Sequence, residues 1–168
     1  RGVAGTLMTN LALELALRKL GVDFGRAKVG DRYVLEMMQQ RGWTLGGENS
    51  GHIICLDKHT TGDGIISALQ VLAAIRSSHS TLSALSRDLT LYPQVLVNVP
   101  APRGFDWQRQ PKIVQAVRDS ERLLGEAGRV LLRSSGTEAV FRVMVEGRNR
   151  KEVHVLARRL AAVVARQA

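Results

Sequence analysis

The sequence predicts an incomplete three-layer α/β domain with a mixed, mostly parallel sheet over residues 1–90. A small α+β domain of βαββα order, with an antiparallel sheet, is predicted over residues 91–168. Three observations carry this. Helical and strand-like segments alternate through the first half, the order that lays parallel strands between helices. The second half gathers three strands around two helices, which suits helices on one face of an antiparallel sheet. The change falls near Asp88 to Pro93, and 168 residues suit two small domains.

In the first half, Leu11, Leu13, Leu15, Leu17 and Leu20 lie in a helical stretch that stops at Gly21. Ala27-Lys28-Val29 reads as the end of a short strand. Asp31 is placed to cap a helix with Val34, Leu35 and Met38 on one face, and Gly42 ends it. Thr44-Leu45 and Ile53 to Leu56 read as strands joined by a polar loop. Asp63 is placed to cap a helix from Ile65 to Arg76. That helix is apolar around most of its circumference, so it is expected to be buried. A short helix, Thr81 to Leu85, follows.

In the second half, Pro93 introduces a strand from Gln94 to Val99, and residues 100–106 form a loop. Lys112 to Leu124 is a helix, Val130 to Leu132 a strand, Ser134 to Glu138 a turn, and Val140 to Val145 a further strand. The last helix, residues 150–166, turns Val153, Leu156, Leu160 and Val164 inward.

Composition narrows the function classes. Apolar residues make up 45% of the chain, enough for packed cores and against disorder. No apolar run approaches the ~20 residues of a membrane span. The opening Arg1-Gly2-Val3-Ala4-Gly5 has neither a signal peptide nor an initiator Met, which suggests a fragment. Cys55 is the single cysteine, so no internal disulfide forms and a cytoplasmic setting is expected. The net charge of +9 favours anionic partners: nucleic acid, lipid headgroups or phosphorylated metabolites. A non-catalytic anion- or RNA-binding module is the competing class. Against RNA, aromatic residues are only 4% of the chain and are not interleaved with basic ones.

Three segments are candidates for chemistry. In Arg133-Ser134-Ser135-Gly136-Thr137-Glu138 a strand delivers an Arg, then hydroxyls and a Gly in a tight turn. Gly permits a backbone whose N–H groups converge on an anion, and Arg adds a planar fork for phosphate. Arg142, in the following strand, points away from the core if Val143 points into it. An ordinary Ser- and Gly-rich turn with exposed arginines explains the same run equally well. Gly47-Glu48-Asn49-Ser50-Gly51-His52 sets a carboxylate, an amide, a hydroxyl and an imidazole between glycines. Such a loop suits sugar hydroxyls, or is simply a polar connection. Lys28 ends a strand just before a helix, at the edge where α/β sheets bind ligands. Solvated lysines are commoner there. Gly62-Asp63-Gly64 and His52-x-x-Cys55 lack the partners a metal needs, so no metal site is expected.

Taken together and in order, these segments resemble the α-D-phosphohexomutase superfamily, and within it the bacterial phosphoglucosamine mutases. The resemblance rests on Lys28-Val29-Gly30-Asp31-Arg32-Tyr33-Val34, Gly47 to His52, Thr61-Gly62-Asp63-Gly64, Gln94 to Val99, Gly128 to Glu138, and Arg142 to Glu146. It implies a four-domain enzyme of which this chain carries most of domain 3, with its first strand largely missing, and all of domain 4. It implies interconversion of glucosamine 6-phosphate and glucosamine 1-phosphate through a phosphoserine and a sugar bisphosphate, feeding UDP-N-acetylglucosamine and cell-wall precursors. Phosphomannomutase/phosphoglucomutase is the sibling alternative. By the same resemblance, Glu48, Asn49 and Ser50 hold the sugar, and Arg133, Ser134, Ser135, Gly136, Thr137 and Arg142 hold the phosphate. Lys28 and His52 lie near the reacting end. The phosphoserine and Mg²⁺ loops belong to domains 1 and 2, outside this chain, so the chain alone is expected to be inactive. The implied partners are hexosamine phosphate, hexose bisphosphate and those missing domains. Homodimerisation is implied for the full-length enzyme, and neither nucleic acid nor membrane binding is. Ala139 stands where the family usually has Pro.

Overall fold

The structure is a computed structural model that describes residues 1–135 and 138–168. These fall into two compact units, Arg1–Leu91 and Tyr92–Ala168.

In the first unit, β1 (Gly2–Thr6), α1 (Leu11–Lys19), β2 (Asp23–Ala27), α2 (Asp31–Arg41), β3 (Leu45–Gly47) and β4 (Ile53–Cys55) build a four-stranded sheet of order β2-β1-β3-β4. β1 is parallel to β2 and β3, because each connection to them passes through a helix; β4 returns antiparallel to β3 through a short loop. β1 pairs with β2 along all five of its residues. With Gly2 and Gly5 among those five, its sequence gives little strand signal. The core lies under α2, where Val34 and Met38 pack on Ala4, Ala27 and Ile54. A Cβ on Gly46 would approach Val34 Cγ1 to 2.8 Å, so glycine there allows α2 to lie close to β3.

Several expectations are corrected. β2 ends at Ala27, so Lys28 and Val29 lie beyond the strand rather than in it. Asp31 does not cap α2: Gly30 is the N-cap, at φ 128°, and Asp31 Oδ1 accepts from the next amide, Arg32. β3 runs Leu45–Gly47, shifted towards the loop from Thr44-Leu45. The clearest correction concerns α3 (Gly64–Ser77). Ser67 is its only buried residue, while Ile65, Leu69 and Leu72 are 76%, 55% and 59% exposed. The helix lies against the edge strand β4 and is tied there by Ser67, whose Oγ donates to Ile53 O at 3.0 Å. Apolar composition recorded a need for burial, but the fold of this chain supplies cover on one narrow side only. α4 (Leu82–Ser86), capped by Thr81, completes the unit.

Asp63 does cap α3, accepting from the amides of Ile65 at 2.8 Å and Ile66 at 2.9 Å. The Ile66 bond is the main reason its carboxyl lies below the ordinary value; desolvation opposes this, and the Ile65 bond and His59 add to the lowering. A carboxyl depressed in the folded state stabilises fully above its unfolded value and loses that contribution as pH falls through the folded one. The start of α3 should therefore loosen only below the ordinary carboxylate range. Amide shifts of Ile65 and Ile66 during acid titration should show this, and Asp63→Asn should remove the titration.

The second unit has β5 (Gln94–Pro100), α5 (Pro111–Leu124), β6 (Gly128–Ser134), β7 (Val140–Gly147) and α6 (Arg150–Ala165). This is the βαββα order, with an antiparallel sheet β5-β7-β6. Pro111 starts α5, where its missing N–H breaks no bond. Asn149 starts α6 by accepting from Lys151 and Glu152 amides. Ile113 and Val117 of α5 and Leu160 and Val164 of α6 pack on Val99, Leu132, Phe141 and Val143. Because strand side chains alternate, Arg129, Leu131 and Arg133 of β6 and Arg142, Met144 and Glu146 of β7 face away from those helices. On that face Arg129 Nε donates to the buried Glu146 at 2.8 Å.

Candidate functional site

Two groups of polar side chains stand out, one in each unit. In the first unit, the loop after β3 folds its side chains onto one another. Glu48 Oε1 accepts from Ser50 Oγ at 2.6 Å, and His52 Nδ1 lies 2.7 Å from Ser50 Oγ and 3.4 Å from Glu48 Oε1. The other carboxylate oxygen, Oε2, accepts from the Gly30 amide at 3.0 Å. The parallel crossover β2–α2–β3 thus brings Lys28-Val29-Gly30-Asp31 beside the Gly47 to His52 loop, 18 residues further on. Asn49 Nδ2 donates to Met8 O at 3.1 Å and ties the loop to the turn after β1. Lys28 is exposed, with Nζ 5.7 Å from the centre of the Tyr33 ring.

The proton arrangement in this group follows from its chemistry. An ionised carboxylate only accepts, so the single Ser50 hydroxyl proton goes to Glu48. Ser50 then accepts from His52, which places a proton on Nδ1. Glu48 is 11% exposed at its side chain, whereas His52 is 45% exposed. The carboxylate is therefore held internally while the imidazole and the Ser50 hydroxyl remain open to a ligand. Gly62 backs the imidazole: a Cβ there would come within 3.1 Å of His52 Cβ and 3.4 Å of its Cδ2. Cys55, on β4, is pushed up by burial and secondarily by Asp57, which keeps its thiol protonated and chemically quiet.

In the second unit, Arg133 of β6 and Arg142 of β7 are directly opposite each other, and Asn98 of β5 completes the row. Like charges so placed repel. Burial, and secondarily the Arg142 charge, lowers the Arg133 guanidinium from its ordinary value. Among the described residues, the buried Nε atoms of both arginines have no hydrogen-bond acceptor. Arg142 Nη2 donates to Glu138 Oε2 at 3.2 Å. Ser134 ends β6 and is exposed; Ser135 donates its amide to Val140 O at 2.9 Å, and its Oγ accepts from the Glu138 amide at 3.3 Å. Gly136 and Thr137 lie outside the described residues. Two half-buried guanidinium groups, each with a donor that has no acceptor among the described residues, have the chemistry to bind an anion carrying several oxygens.

Three participants were not singled out as site residues by sequence reasoning. Gly30 contributes an amide and Gly62 a backing surface, both visible only once the crossover and the β4–α3 turn are folded. Glu138 could have been found: it sits four residues before Arg142, just ahead of the strand that carries it. Among the described residues, no three His, Cys, Asp or Glu side chains converge as a metal site requires. No helix among the described residues is long and apolar enough to cross a membrane.

Comparison with known proteins gives the following. Residues 1–92 match the phosphoglucomutase/phosphomannomutase alpha/beta/alpha domain III, and residues 96–163 match the C-terminal domain of the same family. A phosphoglucosamine mutase of Azoarcus sp. (strain BH72) is 63% identical over 163 residues; the match covers 97% of this chain and 36% of that protein. The chain thus spans about a third of the length of such relatives. Among solved structures, Aspergillus fumigatus N-acetylphosphoglucosamine mutase in complex with GlcNAc-6P and magnesium superposes with a TM-score of 0.80 at 21% identity, over 97% of this chain and 41% of that one. A complex of an A. fumigatus N-acetylphosphoglucosamine mutase with glucose 1,6-bisphosphate gives 0.79 at 21%, over 99% and 38%. At that identity the likeness concerns the fold.

Proposed function

Because the chain belongs to the phosphoglucomutase/phosphomannomutase family, we propose that it is the sugar- and phosphate-gripping part of a phosphoglucosamine mutase. The 63% identical relative of that name supports this choice of sugar over phosphomannomutase. The observation that carries the reading is the opposed pair Arg133–Arg142, with buried Nε donors that have no acceptor among the described residues.

In this reading residues 1–90 are domain 3 and residues 91–168 are domain 4 of a longer enzyme. Glu48, Asn49 and Ser50 hold the sugar, and Arg133, Ser134, Ser135, Gly136, Thr137 and Arg142 hold the phosphate that is not reacting. A carboxylate has about four acceptor positions. Gly30 and Ser50 take two, and His52 approaches a third. A sugar hydroxyl therefore enters largely by replacing the Ser50 and His52 contacts, which frees both to turn to the ligand. Adjacent equatorial hydroxyls look alike after the sugar reverses, so one such loop serves both orientations. His52, with its proton on Nδ1, offers Nε2 as a proton acceptor near the reacting end, and Lys28 adds positive charge there. This work is positioning and electrostatics, which phosphoryl transfer mainly requires. The phosphoserine donor and the Mg²⁺ that offsets phosphate charge belong to the N-terminal domains of the longer enzyme. That enzyme is proposed to be a cytoplasmic homodimer acting on hexosamine phosphate and hexose bisphosphate.

The test is titration of the chain with glucosamine 6-phosphate and glucose 1,6-bisphosphate, followed by amide shifts, with a parallel assay of conversion. Shifts at Glu48, Ser50 and Ser135 without turnover are expected. Glu48→Gln should weaken glucosamine 6-phosphate binding about tenfold, the scale of one charge-assisted hydrogen bond, and leave inorganic phosphate binding unchanged. Turnover by the chain alone would refute the division of labour. Tighter binding of RNA than of phosphosugars at physiological salt would favour a binding module instead.

A further inference from the structure

The acidic member of the phosphate loop, Glu138, has no part in gripping an anion, yet it meets Arg142 of the arginine pair. Its Oε2 lies 3.2 Å from Arg142 Nη2. Among the described residues no other acidic side chain is hydrogen-bonded to Arg142 or Arg133. The two partners differ in setting: the Arg142 side chain is 26% exposed and that of Glu138 is 61% exposed. The arginine is fixed in a strand opposite Arg133, while the carboxylate lies just ahead of that strand and is largely exposed. Such a pair is weakly held, since water screens it and the long side chains lose freedom in making it. A phosphate has more charge and more acceptor oxygens than a carboxylate, and it also reaches Arg133, whose Nε has no acceptor among the described residues.

We propose that Glu138 is an internal competitor for the phosphate: its carboxylate occupies Arg142 when the loop is empty, is displaced when phosphate enters, and so sets how loosely the loop holds its ligand. This rests on the reading of Arg133 and Arg142 as the phosphate seat. A loose grip suits an enzyme whose ligand must let go of this loop, reverse, and present its other phosphate to it. A seat with two unopposed guanidinium groups would hold either phosphate longer.

The experiment titrates inorganic phosphate into this chain and into Glu138→Gln, Arg133→Ala and Glu121→Gln. Binding is read by calorimetry and by the Nε–H resonances of Arg133 and Arg142, and folding is checked by circular dichroism. Glu138→Gln should bind about two- to fivefold more tightly, the range of an exposed ion pair. Its Arg142 Nε–H signal without phosphate should also move. Glu121, an exposed acid on α5, removes the same unit of charge at a distance, and its variant should bind as the parent does. Equal or weaker binding by Glu138→Gln, with Arg133→Ala still at least tenfold weaker, overturns the competitor role and leaves the phosphate seat standing. An equal gain in Glu121→Gln also overturns it, because net charge alone then explains the effect. If Arg133→Ala binds phosphate like the parent, the seat itself is refuted, and the competitor with it.

Discussion

Arg133→Ala should weaken binding of glucosamine 6-phosphate and of inorganic phosphate at least tenfold while leaving the second unit folded. A charge-assisted hydrogen bond contributes roughly 1.5–3 kcal/mol, and tenfold corresponds to about 1.4 kcal/mol. Arg133 can supply two such bonds through its fork. Its side chain faces away from the helix-packed core, so truncation opens no cavity there. Removing it also relieves the repulsion with Arg142 that helps to lower its own guanidinium. Stability should therefore be unchanged or slightly raised, a sign opposite to that of a structural arginine. Arg133→Lys should recover little of the affinity, since an ammonium keeps the charge and loses the planar fork. Calorimetric titration with a thermal melt of each variant checks both halves. Unchanged affinity would remove Arg133 from the site, and loss of folding would make its role structural.

Legibility in the sequence followed the range over which each feature is encoded. Val153, Leu156, Leu160 and Val164 are spaced for one helical face, and all four are buried in α6. The alternation of Arg142 with Val143 likewise placed one outward and the other in the core. Such periodicities are local and survive without knowledge of topology. β1 was hidden because its glycines carry no strand preference; it is a strand because β2 and β3 pair with it. The exposure of α3 was hidden for a different reason. An apolar surface states what a helix needs, and neighbours supplied by the fold decide whether the need is met.

The site divides in the same way. Glu48, Asn49, Ser50 and His52 are near neighbours in sequence, so their grouping was readable. That Gly30 would donate to Glu48 was not, because a crossover of 18 residues joins them. The same bond lies at the start of α2, where Gly30 rather than Asp31 is the cap. Gly30, at a φ favouring glycine, starts α2 with its amide turned to Glu48, and Asp31 becomes the first residue of the helix. A residue proposed to hold sugar therefore also anchors the start of a helix. A Glu48→Gln variant should thus be compared with the parent by its Gly30 amide shift as well as by its affinity.

Phe141→Ala should have the largest effect on stability, and it should be confined to one unit. Phe141 is 1% exposed and packs its ring edge-on against Phe105, with centroids 5.4 Å apart at 85°. It sits on β7, the strand that pairs with both β5 and β6, facing Val99 on one side and Ser134 on the other. Truncation removes the transfer energy of the ring and leaves a cavity that the flanking strands cannot close without breaking register. Losses of this kind are about 3–5 kcal/mol. At a urea dependence of about 1–3 kcal/mol per molar, the midpoint should fall by roughly 2 M. The chain reports its own halves, because one of its two tryptophans, Trp43, packs in the first unit and the other, Trp107, in the second. With Trp43→Phe the fluorescence follows Trp107, and Phe141→Ala should shift that transition by the full amount. With Trp107→Phe the transition seen by Trp43 should stay in place. Phe141→Leu, which keeps most of the apolar volume, should recover much of the loss. An equal shift at both tryptophans would mean that the units unfold as one cooperative body. In that case the proposed phosphate seat would depend on packing throughout the chain, rather than on the strand that carries Arg142 immediately after Phe141.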